Sequence, residues 1–470
     1  MVSQNAPELA LHAVAADAAV LAGPAASKPV DRRRMWRRQR VAGLVGLGVA
    51  ACLGSVALVL AIQEATPFVG RVGALTALSS VAAVVGTSLM LFLLLLVTRW
   101  PVLERAFGQD RLVAWHKKVA PWSIWLIVAH VLLIVTANAM EANAAWLAGI
   151  SLVVGKYPGI VPAIAGLLAM VAAGLTSWRR LRGRLRHETW WTVHLFTYLG
   201  VVLAFFHQVV AGDTFSKGAS RTFWVALYAL VLGLIVWNRL LVPAVRSARH
   251  RLVVTDVVRE SDDVVSVWMT GRNLARLRLQ PGQFLNLRFR HRGLAYEAHP
   301  FSVSAADGDR LRITVKALGD ASTALAGIPQ GTGVTFEGPY GAMTPARVEG
   351  SRYILIAGGV GIGPIVSLAQ GLTSHDAVVD VVYRASLPED LVLTDELRKL
   401  ETEAALRLHL LAGPRTLHPL SPDHLRSLLG DFTDATVFVC GPESLNMRVT
   451  ESARALGVPA SRIHREVFDL

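Results

Sequence analysis

Residues 114–131 read AWHKKVAPWSIWLIVAHV, an apolar run of the kind that spans a membrane, interrupted by two histidines. A polar ring placed in hydrocarbon is costly and generally serves a function. His116 and His130 are fourteen residues apart, and on a helix this separates them by ~21 Å along the axis. The stretch therefore predicts a membrane helix that carries one functional ring at each of two depths.

Apolar residues are concentrated in the N-terminal half of the chain. Of the 470 residues 53% are hydrophobic, and the mean hydropathy of +0.44 is above that of an ordinary soluble protein. Apolar runs long enough to cross a ~30 Å core predict six membrane spans, at 42–63, 75–98, 114–136, 158–177, 189–211 and 222–243.

Basic residues collect on alternate sides of these spans. One side carries clusters within 32–40, 99–118, 179–186 and 239–251. The opposite loops carry only Arg71, Lys156, Lys217 and Arg221. The positive-inside rule then places both termini in the cytoplasm. Because these clusters explain much of the net charge of +13, the charge indicates contact with membrane lipid and not with nucleic acid.

Four histidines in two predicted spans form a pattern. His116 and His130 lie in the third span, and His194 and His207, thirteen residues apart, lie in the fifth. Both spans cross in the same direction, so His116 and His194 share one depth (the inner pair), and His130 and His207 share another (the outer pair). Two rings at one depth can hold a metal or a haem between them. Hydrogen-bonded packing histidines and a proton relay are the alternatives.

The angles around the two helices agree less well with paired sites. Fourteen residues return a straight helix to within ~40° of the same face, whereas thirteen residues leave ~140°. The fifth span therefore needs a tilt, a bend or a different approach to the outer site.

These two spacings in a six-span bundle resemble the ferric reductase / NADPH oxidase superfamily. The resemblance implies two haems b, one held by each histidine pair. His187 is interpreted as an interfacial residue. Basic side chains at the inner boundary would meet haem propionates or simply extend to the membrane surface; they are Lys117, Lys118, Arg179 and Arg180. With cysteines only at Cys52 and Cys440, neither a disulfide nor a cysteine metal site is expected.

Residues 251–345 alternate short strand-like runs with turns, which predicts a small antiparallel barrel. One such run, QFLNLRFR, places three apolar side chains on one face, those of Leu285, Leu287 and Phe289. The barrel contains HPFSVSAA (299–306), with GQF (282–284) before it and GPYG (338–341) after it.

This combination resembles the flavin motif of the same superfamily and implies bound FAD. Phe301 would lie against the isoalloxazine and Ser302 near its reactive edge, with His299 and Pro300 shaping the pocket. Many relatives outside the membrane branch have an arginine where His299 stands. The FAD phosphates would therefore be bound by VKALGDAS (315–322), through Lys316, Gly319 and Ser322.

From Arg352 onward strands and helices alternate. YILIAGGVGIGPIVSLAQGL (353–372) reads as a strand, a glycine-rich turn and a helix, an arrangement that binds a pyrophosphate. The turn resembles that of the superfamily, although Gly363 replaces a threonine; the matching residues are Gly358, Gly359, Gly361 and Pro364. The next strand ends at Arg384 and not at an acid, which favours NADPH over NADH. A solvated surface arginine is the alternative.

Two final segments, TVFVCGPESLNM (436–447) and REVFDL (465–470), complete the resemblance. It implies that Phe468 covers the flavin face and that Glu466 is a polar neighbour. It also places beside the nicotinamide the turn formed by Cys440, Gly441 and Pro442. A buried cysteine at a strand end is the ordinary alternative.

The predicted fold is a membrane six-helix bundle followed by an antiparallel β-barrel and an α/β nucleotide-binding domain. The four predicted parts are a disordered basic cytoplasmic tail, a haem domain, a FAD barrel and an NAD(P) domain, at 1–40, 41–245, 250–345 and 350–470. The predicted function is electron transfer from cytoplasmic NADPH, through FAD and two haems, to oxygen or a ferric chelate outside. Two alternatives are a membrane-anchored flavin reductase and a haem- or quinone-binding subunit for a periplasmic partner. The sequence leaves the oligomeric state open.

Overall fold

A computed structural model describes residues 70–185, 187–211, 218–341, 343–345, 350–373 and 377–467. Its N-terminal half consists of helices: α1 Gly70–Leu96, α2 Pro101–Phe107, α3 Gln109–Glu141, α4 Trp146–Lys156, α5 Ile160–Thr176, α6 Arg179–Arg182, α7 His187–Val210, α8 Gly218–Ile235 and α9 Val242–His250. A π-helical turn, Val236–Leu241, joins α8 to α9. The predicted tail, the predicted first span and Phe468 lie outside the described residues.

Four described helical segments are long and apolar enough to cross a membrane: Gly70–Leu96, Arg111–Glu141, Thr189–Val210 and Gly218–His250. They correspond to the predicted second, third, fifth and sixth spans, and the chain is a membrane protein. The predicted fourth span is α5, whose 17 residues are near the lower limit for crossing. A further apolar helix of 11 residues, α4, was not predicted from the sequence.

The membrane helices pack chiefly as two pairs, α1 along α3 and α5 along α7. The second pair meets at a glycine contact, where a Cβ on Gly166 would lie 2.5 Å from the carbonyl oxygen of Gly200. Small residues let helices approach closely in lipid, where apolar burial gives little driving force. Contacts between α3 and α5, which link the pairs, are sparser. The four predicted ligand histidines are therefore divided between the pairs, on α3 and α7.

Six antiparallel strands form a closed barrel in the order β1-β2-β5-β4-β3-β6. Their bounds are β1 Leu252–Arg259, β2 Val264–Thr270, β3 Phe284–Phe289, β4 His299–Asp307, β5 Arg310–Lys316 and β6 Gly333–Tyr340, with a short helix, α10 Asp320–Ala324, before β6. Leu285, Leu287 and Phe289 are at most 1% exposed, so the inward face predicted for this strand is confirmed. The flavin-like motif forms most of β4.

The C-terminal domain is a five-stranded parallel sheet in the order β11-β10-β7-β8-β9. Its elements are β7 Arg352–Gly358, α11 Ile362–Thr373, β8 Val378–Ala385, α12 Thr394–Glu403, β9 Leu406–Ala412, α13 Pro422–Leu429, β10 Thr436–Gly441, α14 Glu443–Ala455 and β11 Ile463–Val467. The strand order reverses at β7, where ligands of such sheets bind. The predicted fold class is confirmed, with four to six spanning helices.

The barrel and the parallel sheet are joined by a charged contact. Arg312 on β5 is 4% exposed and forms a two-pronged ion pair with Glu396 on α12, with 2.9 Å between Nη2 and Oε2. A charge this deeply buried is tolerated only when it is paired. Helix α11 also packs on β4, so the nucleotide domain lies directly against the strand that carries the flavin-like motif.

Candidate functional site

The inner histidine pair comes together between α3 and α7. The ring centres of His116 and His194 are 6.2 Å apart, with 62° between their planes. An imidazole nitrogen binds a transition metal at ~2 Å, and its ring centre lies ~1 Å further away, so two rings on opposite sides of one metal have centres ~6 Å apart. The observed separation is close to this value, so the two side chains would be able to hold one metal or haem between them.

Hydrogen bonds determine which ring nitrogen each inner histidine presents. Nδ1 of His116 lies 3.3 Å from the carbonyl oxygen of Leu93 and must carry a proton to donate there. Nδ1 of His194 lies 3.5 Å from Ser177 Oγ, whose own proton goes to the carbonyl oxygen of Ala173. Both rings thus leave Nε2 for a ligand. Such outer partners orient metal-binding histidines in other proteins.

Only one ring of the outer pair, that of His130, has a hydrogen-bond partner for Nδ1 among the described residues. Nδ1 of His130 lies 3.1 Å from the carbonyl oxygen of Ser79 and 2.8 Å from Ser79 Oγ. His207 lies thirteen residues after His194 on α7. Its Nδ1 is buried without a hydrogen-bond partner in the part of the chain that the structure describes. The Nδ1 contacts of His130 thus leave its Nε2 for a ligand. The Nδ1 atom of His207 has no such contact among the described residues.

A cavity of about 170 Å³ opens beside the inner pair. Its lining comes from α3, α7 and the ends of α1 and α8, and includes Arg99, Gln109, Tyr198 and Arg239. Lys117 and Lys118 are exposed and do not line it. Arg180 lies over the ring of Trp178 at 5.9 Å, and the side chains of Arg179 and His187 lie outside the described residues.

Arg99 and Arg239 are therefore basic residues that line the inner site, and neither was predicted as a site residue from the sequence. Each follows directly on an apolar run, Arg99 after α1 and Arg239 within the turn after α8. That position, a single arginine at the end of a span, was the available signal.

The flavin-like motif lies on a half-covered face of the barrel. Phe301 packs edge-on against Phe289 at 6.4 Å between ring centres, and His299 lies at the same distance from Phe301. Ser302 is 8% exposed, whereas Pro300 is exposed. The motif thus presents an aromatic face flanked by a small polar side chain, as the predicted flavin pocket requires.

The predicted phosphate-binding side chains Lys316 and Ser322 already contact other groups of the protein. Lys316 forms an ion pair with Asp263 at 3.0 Å. Ser322 Oγ accepts hydrogen bonds from the backbone N–H groups of Leu318 and Gly319, both at 2.9 Å. The turn is therefore formed without a ligand, and its role towards FAD phosphates stays a prediction.

A second cavity, of about 400 Å³, lies at the carboxyl ends of β7, β8 and β10. Two parts of its lining were predicted: the glycine turn, through Gly358 and Gly359, and the last turn, through Gly441 and Pro442. Gly361 packs beneath, where a Cβ would lie 2.3 Å from the carbonyl oxygen of Cys440. Only glycine permits this approach. Pro364 is buried in α11, outside the cavity lining.

Arg384 lines this cavity together with Arg415 and Arg448. Its Nη2 donates to the carbonyl oxygen of Gly413 at 3.2 Å, and burial together with the charge of Arg415 lowers its pKa. Like charges accumulate in this way where an anion is to be bound. Arg415 was not predicted; it follows shortly after β9, at the same edge of the sheet as Arg384.

Cys440 lies behind the cavity wall and not on it. Its side chain is fully buried, and burial together with the neighbouring Glu466 raises the thiol pKa well above its usual range. Asn446, another residue missed from the sequence, donates to the carbonyl oxygens of Gly441 at 2.7 Å and Glu466 at 3.1 Å. It ties the two strand ends together. The nicotinamide roles of Cys440, Glu466 and Phe468 stay predictions.

Two protein families match this chain, one over part of the membrane domain and one over the barrel. Residues 82–205 match the "Ferric reductase like transmembrane component" family, and residues 249–344 match a family described as "FAD-binding domain". The chain has the architecture of the ferric reductase / NADPH oxidase superfamily. A ferric reductase-like membrane domain is thus followed by FAD- and NAD(P)H-binding domains, which are those of an NAD(P)H-dependent oxidoreductase.

The curated relatives that match this ferric reductase-like chain cover less than half of it. The ferredoxin reductase component of 3-ketosteroid-9-alpha-monooxygenase from Mycobacterium tuberculosis is 32% identical over 200 residues, which span 41% of this chain and 56% of the relative. A probable dihydroorotate dehydrogenase B (NAD(+)) electron transfer subunit from Methanopyrus kandleri is 31% identical, over 39% of this chain and 67% of its own.

Among solved structures, the ferredoxin reductase in carbazole 1,9a-dioxygenase is 19% identical, with a TM-score of 0.41. That match covers 47% of this chain and 69% of the other. The cytochrome b5 reductase domain of Ulva prolifera nitrate reductase is 15% identical, with the same TM-score. It covers 47% of this chain and 98% of the other.

Proposed function

We propose that this chain carries electrons from cytoplasmic NADPH across the cell membrane to a small one-electron acceptor, oxygen or ferric iron, on the outside. The route would use FAD and two haems b, the inner one held by His116 and His194 and the outer one by His130 and His207. The chain would cross the membrane several times, with both termini in the cytoplasm, as the basic loops favour.

The observation that carries this proposal is the geometry of the inner pair. Its 6.2 Å ring separation suits two side chains that would hold one metal between them, both Nδ1 atoms lie near protein acceptors, and a cavity opens beside the rings. Packing histidines have no need of this separation. When bound, haem supplies one-electron carriers, and FAD joins the two-electron chemistry of NADPH to them.

The residues of this chain would hold and order these groups. The parallel sheet presents its cationic cavity to the nucleotide, and α11 holds that sheet against the flavin strand β4. The barrel in turn contacts the membrane helices beside the inner pair, through the ion pair of Arg99 with Glu337 on β6. The nucleotide domain thus contacts the barrel, and the barrel contacts the membrane domain, which supports electron transfer in this order.

Cofactor content tests the proposal. Protein purified in detergent is expected to contain two low-spin haems and one FAD per chain, by pyridine haemochrome and flavin release, because the spacing of the four histidines predicts two matched depths. Anaerobic NADPH should then reduce both haem and flavin bands. One haem or none per chain would contradict the two-site arrangement. Flavin reduction without haem would instead indicate a membrane-anchored flavin reductase.

Arg415 and Arg384 are expected to favour NADPH over NADH. Each would place a guanidinium near the 2′-phosphate, and loss of one charged hydrogen bond costs ~1.5–3 kcal/mol, or about tenfold or more in affinity. Arg415→Ala and Arg384→Ala should therefore lower kcat/KM for NADPH by about tenfold and leave the value for NADH within about twofold. Arg398→Ala, which removes the same charge from the exposed face of α12, is the control. Equal losses for both nucleotides would place the 2′-phosphate elsewhere.

A further inference from the structure

One carboxylate of the barrel joins the two arginines of the inner cavity. Glu337 Oε2 on β6 lies 2.5 Å from Arg99 Nη1 and 3.6 Å from Arg239 Nη1. The three side chains are only 17–22% exposed. Partial burial weakens solvent screening, so an ion pair here contributes more than one on an open surface.

The same arginines also face the histidines. Arg99 and Arg239 line the cavity that includes His116 and His194. Arg239 comes from the membrane turn after α8, and Glu337 comes from the barrel, 238 residues after Arg99. The charge of a barrel residue therefore acts directly on the wall of the inner histidine site.

A chain of contacts continues from Arg99 towards the flavin strand. The Arg99 guanidinium lies over the Tyr340 ring at 4.8 Å, and that ring lies 5.8 Å from the ring of Phe284. Phe284 pairs with Ser302 across β3 and β4. Movement of the Glu337 cluster would thus be passed to the strand that carries the flavin-like motif.

Two other contacts at this junction do not depend on an acidic side chain. Arg246 on α9 donates to the carbonyl oxygen of Gly338, and the backbone N–H of Phe336 donates to Ser247 Oγ at 3.0 Å. These bonds hold α9 along β6 whatever the charge at position 337. Removing that charge would leave two arginines side by side with one balancing carboxylate fewer, and they would repel each other.

We propose that Glu337 is a positioning residue: its charge holds the flavin barrel against the inner histidine site through Arg99 and Arg239, and tunes that site. The coupling to the inner site rests on the proposed function. The docking contact itself does not, because it needs no cofactor.

The test compares Glu337→Gln, Glu337→Asp and the control Asp262→Asn, which removes an exposed acid from the β1–β2 turn. Glu104, whose charge also reaches Tyr340, is kept in every variant. In purified full-length protein, Glu337→Gln is expected to slow haem reduction by NADPH about tenfold while flavin reduction stays within about twofold. Its inner haem should shift to a higher reduction potential, because a negative charge has been removed. Glu337→Asp should recover much of both properties.

Hydrogen exchange measured by mass spectrometry provides a readout that needs no haem. Backbone amides of β6 and α9 are expected to exchange several-fold faster in Glu337→Gln than in wild type or Asp262→Asn. Unchanged exchange would overturn the docking role, and an unchanged inner potential would overturn the coupling. Equal impairment of the Asp and Gln variants would show that the charge is not what matters. If wild-type protein lacks haem, the proposed function fails and exchange alone decides the docking role.

Discussion

Replacing His194 with leucine is expected to abolish reduction of an acceptor held outside sealed vesicles, while NADPH still reduces the bound flavin. His194 is half of the inner pair, 6.2 Å from His116 between ring centres, and leucine offers no ligand. The outer level is thirteen residues further along α7, or ~20 Å. Without the inner site, electrons would have to cross that extra height in one step, so external reduction should fall to background.

The measurement uses vesicles with NADPH supplied on the side of the barrel and an impermeant ferric chelate on the other side. His187→Leu is the matched control, because the same substitution at the first residue of α7 removes a ring predicted to be interfacial. It should keep both haems and full activity. Full external reduction by His194→Leu would show that His194 is not part of the route.

His207→Leu is expected to interrupt the same route one step later. It would remove a proposed ligand of the outer pair only, so about half of the low-spin haem signal should remain. NADPH should reduce the flavin and the remaining haem, yet external reduction should again fall to background. The two variants thus give the same external result and opposite internal results, since haem reduction is lost in His194→Leu and kept in His207→Leu.

Absorption spectra of both variants, recorded with NADPH under anaerobic conditions, measure how much haem each variant reduces. Retained external reduction in His207→Leu would contradict the pairing of His130 with His207. Reduction of the remaining haem at equal rates in both variants would contradict the assigned order, with the inner pair nearer the flavin.

The sequence predicted what depends on local patterns. Apolar length identified the helices that contain all four histidines, and alternation along QFLNLRFR identified the buried face of β3. Helix α4 was not predicted because its 11 residues are too few for a membrane span. The glycine turn and the last turn, Gly441–Pro442, were likewise found from short motifs and lie in one cavity.

What the sequence could not show depends on distant pairing. Glu337 and Arg99 are 238 residues apart, and no sequence pattern around either residue predicts that they form an ion pair. The ~140° offset calculated for His194 and His207 assumed straight helices in isolation. It ignored how α3, which contains Pro121, approaches α7. A proline inside a helix removes one backbone hydrogen bond and allows a bend, so ring positions follow from packing and not from residue counts.

The glycine contact between α5 and α7 affects how the membrane helices respond to bilayer thickness. With Gly166 against Gly200, these two helices must tilt together when bilayer thickness changes, and α1 with α3 forms the other unit. Hydrophobic mismatch is accommodated by tilt, so the adjustment falls at the sparse boundary between the two units. Each histidine pair straddles that boundary. The spacing of the rings within each pair should therefore change with acyl chain length more than the distances within either helix unit do.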